Sequence, residues 1–349
     1  MEGARRRFRY GRAMSSAQPL TSAVTTAAAS VAASLTTSEL PEPVVVELDL
    51  GPGPGGGDFR GQGERVATWV LEPAGREPAG DVVLCHGTPW SARVWAPVAR
   101  ALSQEYRVFL WDMPGYGASP KGPDVAVDLV TQRRRLAALL RHWAVDRSLD
   151  RPLDRPHVVA HDIGGAVALG AHLLEDADVA SLFLLDIVTL DPWGSPFFRL
   201  VAENEAVFAA VPGPLHGALV REYIAGAANH GLPDDVVGML AEPWLDGVGQ
   251  AAFYHQIAQL SPEHTAPVVR RLGEVRCPVR VGWADADPWI PFEQAARLRE
   301  ALPGDPEVVA FPGLGHLVPL EDDAAVGQAV REWLAASRGS ASGPGARVG

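Results

Sequence analysis

The sequence predicts an α/β architecture in which a mostly parallel, eight-stranded sheet is flanked by helices and carries an inserted helical cap. Short apolar runs alternate with longer helical segments along most of the chain, a pattern typical of parallel sheets. Between residues 190 and 266 this alternation stops, and the sequence is helical, aromatic and punctuated by Pro and Gly. A chain of 349 residues with 47% hydrophobic content is long enough to bury both parts.

Eight short apolar runs each predict a strand. In chain order they are residues 44–50, 66–71, 82–85, 108–111, 158–161, 182–187, 279–283 and 307–311. Longer segments between these runs predict the helices of the core. They are residues 94–102, 129–143, 165–174, 292–302 and 322–333.

The composition changes at both ends of this core. Residues 1–40 begin with an Arg-rich stretch followed by Ser, Ala and Thr, too weakly apolar for a signal peptide, and predict a disordered extension. The Gly- and Ser-rich residues 337–349 predict a disordered tail. The core is then expected in two parts, residues 41–189 and 267–336, with the cap between them at residues 190–266.

Charge and cysteine content exclude several classes of function. The formal net charge of −12 argues against a nucleic-acid partner, and no apolar run approaches the roughly 18 residues of a membrane span. Cys85 and Cys277 each border an apolar run and are expected to be buried, which fits a reducing, cytoplasmic compartment. No His, Cys and Asp cluster has metal-ligand spacing, so we expect neither a metal nor a cofactor; the oligomeric state stays open.

The segment from His157 to Leu169 carries the strongest chemical signal. It reads as a buried strand, a turn of small residues and an Ala-rich helix, with Asp162 at the apex of the turn. A strained strand-to-helix turn of this kind exposes a nucleophile above the sheet. A carboxylate at this position suits attack on a saturated carbon, which forms an alkyl-enzyme ester that water must then cleave.

A nucleophile on such a turn needs an oxyanion hole, a base and a group that orients the base. Gly87, after the third strand, lets the backbone turn so that the N–H of Thr88 faces the site, and the N–H of Ile163 is the expected second donor. His316 is the expected base. It follows the last strand in a Gly-containing loop, at the sheet edge where ligands bind in open α/β folds.

Three aspartates are candidates for the orienting role. Asp287, in the loop after the seventh strand, is favoured. Asp285 lies two residues earlier and is expected to cap the turn instead. Asp186, after the sixth strand, is the remaining alternative.

Five segments together resemble the α/β-hydrolase superfamily, in its branch of epoxide hydrolases and haloalkane dehalogenases that use an Asp nucleophile. The segments are residues 86–89, 112–119, 160–165, 283–288 and 315–316, and the resemblance spans most of residues 80–335. It implies the α/β-hydrolase fold, with Asp162 as nucleophile, His316 as base and Asp287 as its acid partner.

Differences from these families bear on the reaction. Related dehalogenases hold the halide with an Asn after His-Gly or a Trp after the nucleophile, but those positions are Thr88 and Ile163 here. The stretch after Asp162 also lacks the arginines that would hold an anionic substrate. Epoxide hydrolases use cap tyrosines to protonate the opening oxygen. Tyr254 resembles the second of that pair, and Tyr223 is the other tyrosine of the cap.

The expected function is therefore cofactor-free hydrolysis of a small apolar epoxide by water, with Tyr254 and Tyr223 activating the substrate. Within the same branch, the alternative is a haloalkane dehalogenase with an unusual halide site built from Trp90, Trp193 or Trp244. Outside it, the alternative is a non-catalytic receptor for a small molecule on the same fold.

Overall fold

The computed structural model describes residues 39–51 and 64–341, which fold around one eight-stranded sheet. Its strands are β1 (Val44–Leu48), β2 (Glu64–Leu71), β3 (Asp81–Cys85), β4 (Arg107–Trp111), β5 (His157–His161), β6 (Ser181–Leu185), β7 (Val279–Ala284) and β8 (Val308–Phe311). Across the sheet their order is β1-β2-β4-β3-β5-β6-β7-β8. Each predicted strand is present, so the predicted architecture of the sheet is confirmed.

The sheet is parallel over most of its width. β4, β3, β5, β6, β7 and β8 pair in parallel, whereas β2 runs antiparallel to both of its neighbours, β1 and β4. Every residue of β3, β4, β5 and β6 is buried, as expected of parallel strands covered by helices on both faces. The carboxyl ends of these strands share one edge, and the loops that carry the candidate residues leave the sheet there.

The helices follow in chain order. They are α1 (Ala96–Leu102), α2 (Leu129–Val145), α3 (Ile163–Leu174), α4 (Pro196–Glu203), α5 (Glu205–Ala209), α6 (Gly213–Ala225), α7 (Asp234–Ala241), α8 (Gly247–Ala258), α9 (Pro262–Val269), α10 (Glu293–Ala301), α11 (Val318–Glu321) and α12 (Asp323–Ala341). All five predicted core helices are among them; four have ends shifted by no more than two residues, and the last, α12, ends eight residues later than predicted.

The cap consists of α4 to α8, inserted between β6 and β7. The next helix, α9, packs against α2 and α3 and therefore belongs to the core. The cap helices end at Ala258, so residues 262–266, which the sequence assigned to the cap, instead begin a core helix. A linear sequence cannot show this boundary, because both sides of it are helical.

The carboxyl end of the chain also differs from the prediction. α12 continues to Ala341, so residues 337–341, assigned to a disordered tail, are helical. Residues 1–38, 52–63 and 342–349 lie outside the described ranges, and with them almost all of the predicted N-terminal extension. Within residues 39–51 and 64–341, no helix is both long and apolar enough to cross a membrane.

Candidate active site

The turn after β5 places Asp162 above the edge of the sheet. Its φ of 54° lies in the left-handed region that residues other than glycine rarely adopt, and the residue is 3% exposed. Two glycines make the close approach around it possible. A Cβ on Gly87 would lie 2.3 Å from the Cβ of Asp162, and a Cβ on Gly165 would lie 2.2 Å from the side chain of Ile187. These two glycines thus allow the loop after β3, the turn after β5 and the segment after β6 to pack closely.

One carboxylate oxygen of Asp162 is held by two backbone N–H groups. The N–H of Thr88 donates to Oδ1 over 3.2 Å, and the N–H of Ile163 donates to the same oxygen. These are the two groups that the sequence predicts as oxyanion-hole donors. An oxygen of Asp162 itself therefore occupies the position between them, and Oδ2 is left for other contacts.

Oδ2 of Asp162 faces His316, whose Nε2 lies 2.9 Å away. The imidazole is fully buried. The backbone N–H of His316 donates to the carbonyl oxygen of Ala227 over 2.8 Å, which ties the loop after β8 to the loop after α6 of the cap. A Cβ on Gly315 would lie 2.4 Å from the backbone nitrogen of Asn229, so this approach requires glycine.

Asp287 lies on the other side of the imidazole. Its Oδ2 is 2.8 Å from Nδ1 of His316, while its Oδ1 accepts hydrogen bonds from the N–H groups of Trp289 and Ile290. The turn after β7 therefore fixes the carboxylate against the ring. Asp162, His316 and Asp287 form one continuous chain of hydrogen bonds, as the sequence predicts.

The two alternative aspartates make other contacts. Asp285 is exposed and accepts a hydrogen bond from the N–H of Gly313 over 2.6 Å, which fits its expected role in the turn. Asp186 is fully buried, and its Oδ1 accepts a hydrogen bond from the N–H of Ala284 over 2.8 Å. Its Oδ2 has no hydrogen-bond partner among the described residues. Asp287 is thus the aspartate that pairs with Nδ1 of His316.

The pKa values of these groups shift in different directions. Burial alone would raise the pKa of Asp162, but the hydrogen bond and the charge of His316 bring it below its ordinary value. Burial would lower the pKa of His316, yet the charge of Asp287 and the bonds to both carboxylates raise it well above its ordinary value. Burial, and then the charge of Asp287, raise the pKa of Asp186 well above its ordinary value. Before substrate binds, these directions favour the carboxylate form of Asp162, the protonated form of His316 and the protonated form of Asp186.

A cavity of about 90 Å³ opens beside Asp162, between the sheet edge and the cap. Thr88 and Tyr223 line it with Asp162, and most of its other walls are apolar or aromatic. These walls are Ile163, Val188, Pro192, Trp193, Phe198, Trp289, Ile290 and Pro291. Asp162 is the one charged side chain among the described residues that line it. Sites for drug-sized ligands are typically about 300–1,000 Å³, so this cavity is small for a ligand site.

Of the two cap tyrosines, Tyr223 lines this cavity. Its ring stacks on Trp289, with centroids 4.7 Å apart. Burial, and then the negative charge of Asp162, raise the pKa of the Tyr223 phenol well above its ordinary value. The phenol therefore keeps its proton at neutral pH and faces the same cavity as the carboxylate.

Tyr254 lies elsewhere, and the expectation that it activates substrate has to be corrected. It is fully buried in the cap and does not line the cavity. Its hydroxyl is 2.8 Å from Nδ1 of His216, and Nε2 of His216 is 2.8 Å from the carbonyl oxygen of Trp244. Because that carbonyl oxygen only accepts, Nε2 carries the hydrogen and Nδ1 accepts the proton of Tyr254. The hydroxyl of Tyr254 thus donates its hydrogen bond to His216 within the cap.

Two residues next to the site were not singled out from the sequence. The ring of Trp289 lies 4.9 Å from that of His316 and covers it on the cavity side. Gln256 on α8 accepts a hydrogen bond from the hydroxyl of Thr88 over 2.5 Å. The Asp-Pro-Trp order of residues 287–289 was a signal for Trp289. No local signal marks Gln256, because its contact depends on how the cap packs.

The tryptophans considered as halide ligands are committed to other contacts or lie outside the cavity lining. The indole N–H of Trp193 donates to Oγ1 of Thr265 over 3.1 Å, and that of Trp244 donates to the carbonyl oxygen of Pro89 over 3.1 Å. Trp90 is buried and does not line the cavity. None of the three presents an N–H to the space beside Asp162.

Similar proteins are found among solved structures and among curated sequences. An alpha/beta hydrolase fold protein from Burkholderia ambifaria has 38% sequence identity and a TM-score of 0.71, over 83% of this chain and 100% of that chain. RutD of Escherichia coli O6:H1, named as a carbamate hydrolase, is 27% identical over 258 residues, which is 72% of this chain and 87% of that protein. The dihydrolipoyllysine-residue acetyltransferase component of the acetoin cleaving system of Pseudomonas putida is 27% identical over 288 residues, 78% of this chain and 67% of that protein.

The model of one family, described as the alpha/beta hydrolase family, matches residues 82–329. That span contains the loop with Thr88, the turn with Asp162, the whole cap, and both Asp287 and His316. It also contains β4 to β8 and all of β3 except Asp81. The chain is therefore a member of the alpha/beta hydrolase family and has the fold of that family.

Proposed function

We propose that this protein hydrolyses small, uncharged epoxides through a covalent ester on Asp162. The observation that carries the proposal is the placement of the Asp162 carboxylate, with Oδ1 between two backbone N–H groups and Oδ2 toward His316. In acyl transfer by a serine enzyme, the carbonyl oxygen of the substrate occupies the oxyanion hole. Here Oδ1 of Asp162 occupies that position. When water attacks the ester in the second step, the oxyanion therefore forms between the N–H groups of Thr88 and Ile163.

The first half-reaction alkylates Asp162. Oδ2 attacks the less hindered epoxide carbon, and the carbon–oxygen bond of the ring breaks. The electron pair of that bond stays on the departing oxygen, which takes the phenol proton of Tyr223. The products are a 2-hydroxyalkyl ester of Asp162 and a tyrosinate.

The second half-reaction hydrolyses the ester. His316 takes a proton from water, and the hydroxide adds to Cγ of Asp162, so negative charge develops on Oδ1. The N–H groups of Thr88 and Ile163 stabilise that charge. When the intermediate collapses, the bond from Cγ to Oδ2 breaks, and the diol leaves with Oδ2 and the proton from His316. The carboxyl proton left on Asp162 returns to Tyr223 through solvent.

Alkylation itself converts His316 into a base. In the free protein, two carboxylates face the imidazole and raise its pKa. Esterification removes the charge of Asp162 and leaves that of Asp287, so the pKa of His316 falls and the ring releases its proton to solvent. It takes a proton back from solvent when Asp162 is again a free carboxylate. The ring becomes able to accept a proton from water only after the ester has formed, and Asp287 then stabilises the imidazolium that results.

The cavity favours this substrate class over others. Its small volume and apolar walls suit a short-chain epoxide, and no cationic side chain among the described lining residues would hold an anion. The similarity to a protein named as a carbamate hydrolase raises carbamates as substrates. A carbamate carbonyl would have to displace Oδ1 of Asp162 from its two N–H donors, and attack by a carboxylate would give an anhydride. Attack on a saturated carbon of an epoxide requires neither displacement of Oδ1 nor formation of an anhydride.

The two tyrosines provide a matched test of this assignment. Replacing Tyr223 with Phe removes the proton donor in the cavity, and we expect kcat/KM for propylene oxide to fall about 10²-fold or more. Replacing Tyr254 with Phe removes only a bond to His216, and we expect kcat/KM to stay within about threefold. Initial rates of diol formation, measured for both variants over a range of substrate concentrations, give the comparison.

A larger loss of activity in Tyr254→Phe than in Tyr223→Phe would overturn the role of Tyr223. If Tyr254→Phe loses activity and Tyr223→Phe keeps it, the cap must reorient when substrate binds. Circular dichroism of both variants checks that the fold is retained, and the loss of the buried bond in Tyr254→Phe is expected to appear as lower thermal stability.

A further inference from the structure

A buried hydrogen-bond network joins the cap to the loop that carries Thr88. The amide oxygen of Gln256 on α8 accepts a hydrogen bond from the hydroxyl of Thr88 over 2.5 Å and a second from the hydroxyl of Tyr116 over 2.9 Å. The amide nitrogen of Gln256 donates to the carbonyl oxygen of Phe253 over 3.0 Å, which fixes the direction of the amide. Gln256 and Tyr116 are fully buried, and Thr88 is 3% exposed.

We propose that Gln256 is a positioning residue that aligns the oxyanion hole from the cap; this inference rests on the proposed function. It does not touch the reacting atoms. It holds the side chain of Thr88, the residue whose backbone N–H donates to Oδ1 of Asp162. A donor displaced by even a fraction of an ångström stabilises the oxyanion less well, so this second contact on Thr88 has a catalytic consequence.

The rotation of α8 about its axis explains why the cap residue that contacts the Thr88 loop is Gln256 rather than Tyr254. Successive residues of an α-helix are about 100° apart around its axis, so residues two apart lie on nearly opposite sides. Tyr254 contacts His216 in the cap interior, while Gln256 contacts Thr88 and Tyr116 of the core. The side of α8 that faces the core therefore carries the amide.

This arrangement assigns Gln256 to one half-reaction. During alkylation, negative charge leaves the carboxylate of Asp162, so weaker donors to Oδ1 do not slow that step. During ester hydrolysis, negative charge develops on Oδ1, and the alignment of Thr88 lowers the barrier. Loss of Gln256 should therefore slow breakdown of the ester selectively.

The kinetic signature follows from a two-step mechanism. kcat/KM reports alkylation alone, whereas slower ester hydrolysis lowers kcat and KM together. A change that only unfolded part of the sample would lower kcat and kcat/KM equally and leave KM unchanged. The split between KM and kcat therefore separates a positioning role from a structural one.

The experiment compares Gln256→Met with Gln250→Met, the same substitution on the same helix. Gln250 donates to the carbonyl oxygens of Ala209 and Val211 inside the cap and has no hydrogen bond to the Thr88 loop. With propylene oxide as probe, rapid quench and intact-mass spectrometry measure ester formation and ester loss in single turnovers. For Gln256→Met we expect ester loss to slow about tenfold or more and ester formation to stay within about twofold. For Gln250→Met we expect both rates to stay within about twofold.

A second variant keeps the test decisive if Gln256→Met does not fold. Thr88→Val removes the same hydrogen bond from the core side and retains the backbone N–H, so it should slow ester loss in the same way. The double variant should be no slower than either single variant, because both remove one interaction. Unchanged ester loss in Gln256→Met or Thr88→Val would overturn the role of Gln256. If His316→Gln forms no ester at all, the proposed function fails instead.

Discussion

Replacing Asp162 with Ala is expected to reduce turnover of propylene oxide about 10⁴-fold or more. The substitution removes the carboxylate that forms the ester in the proposed mechanism, and no other described lining residue carries a charge that could replace it. The fold should persist, because the residue contributes one side chain to a site held by backbone and glycine contacts. Steady-state rates and the circular dichroism spectrum of the variant provide the measurement.

The stability of the same variant gives a control. Asp162 adopts a φ of 54°, which is unfavourable for Ala as well, and the buried carboxylate is paired with an imidazolium. The variant must therefore be assayed below its own melting temperature. Activity within about tenfold of wild type, in a folded sample free of wild-type protein, would rule out Asp162 as the nucleophile.

Replacing Asp287 with Asn is the prediction with the second-largest effect. We expect kcat to fall about 10²- to 10⁴-fold, because Asn cannot stabilise the imidazolium that forms on His316 and would also favour the wrong tautomer. The ester should accumulate, since alkylation of Asp162 does not require this carboxylate. Intact-mass spectrometry during turnover detects that accumulation.

Asp186→Asn is the matched comparison. Asp186 is buried, burial raises the pKa of its carboxyl, and one of its oxygens accepts a hydrogen bond from the N–H of Ala284. Asn keeps the shape of the side chain and can accept the same bond. We expect kcat to stay within about threefold of wild type. A larger loss in Asp186→Asn than in Asp287→Asn would show that Asp186, the alternative left open by the sequence, is the partner of His316.

The candidate residues that the structure brings together are those marked by local features of the sequence. The strand, turn and helix around Asp162 could be recognised because glycine and alanine must surround a strained turn, and the structure places Gly87 against Asp162 and Gly165 against Ile187. Asp287 and His316 follow core strands whose carboxyl ends share one edge of the sheet. Their meeting with Asp162 follows from that topology.

The cap could not be predicted to the same depth. Its helices are recognisable, but the rotation of α8 about its axis decides whether Tyr254 or Gln256 faces the core. Because α8 has buried residues on more than one side, the pattern of apolar residues does not reveal that rotation. The choice between Tyr223 and Tyr254 depends on that rotation and on His216, which lies 38 residues from Tyr254 in the chain. The residue at which the cap ends could not be predicted either, because only a short turn separates α8 of the cap from α9 of the core.

The central claim is that Asp162 forms a covalent ester that His316 helps to cleave. Its most direct test is the intact mass of the His316→Gln variant after incubation with propylene oxide and, separately, with bromoethane. The account predicts an adduct equal to one whole epoxide, located on Asp162 and absent from a variant that also carries Asp162→Ala. An adduct of the ethyl group alone with free bromide, and none from the epoxide, would indicate dehalogenation. If wild type forms the diol and the variant carries no adduct on Asp162, the covalent mechanism is contradicted.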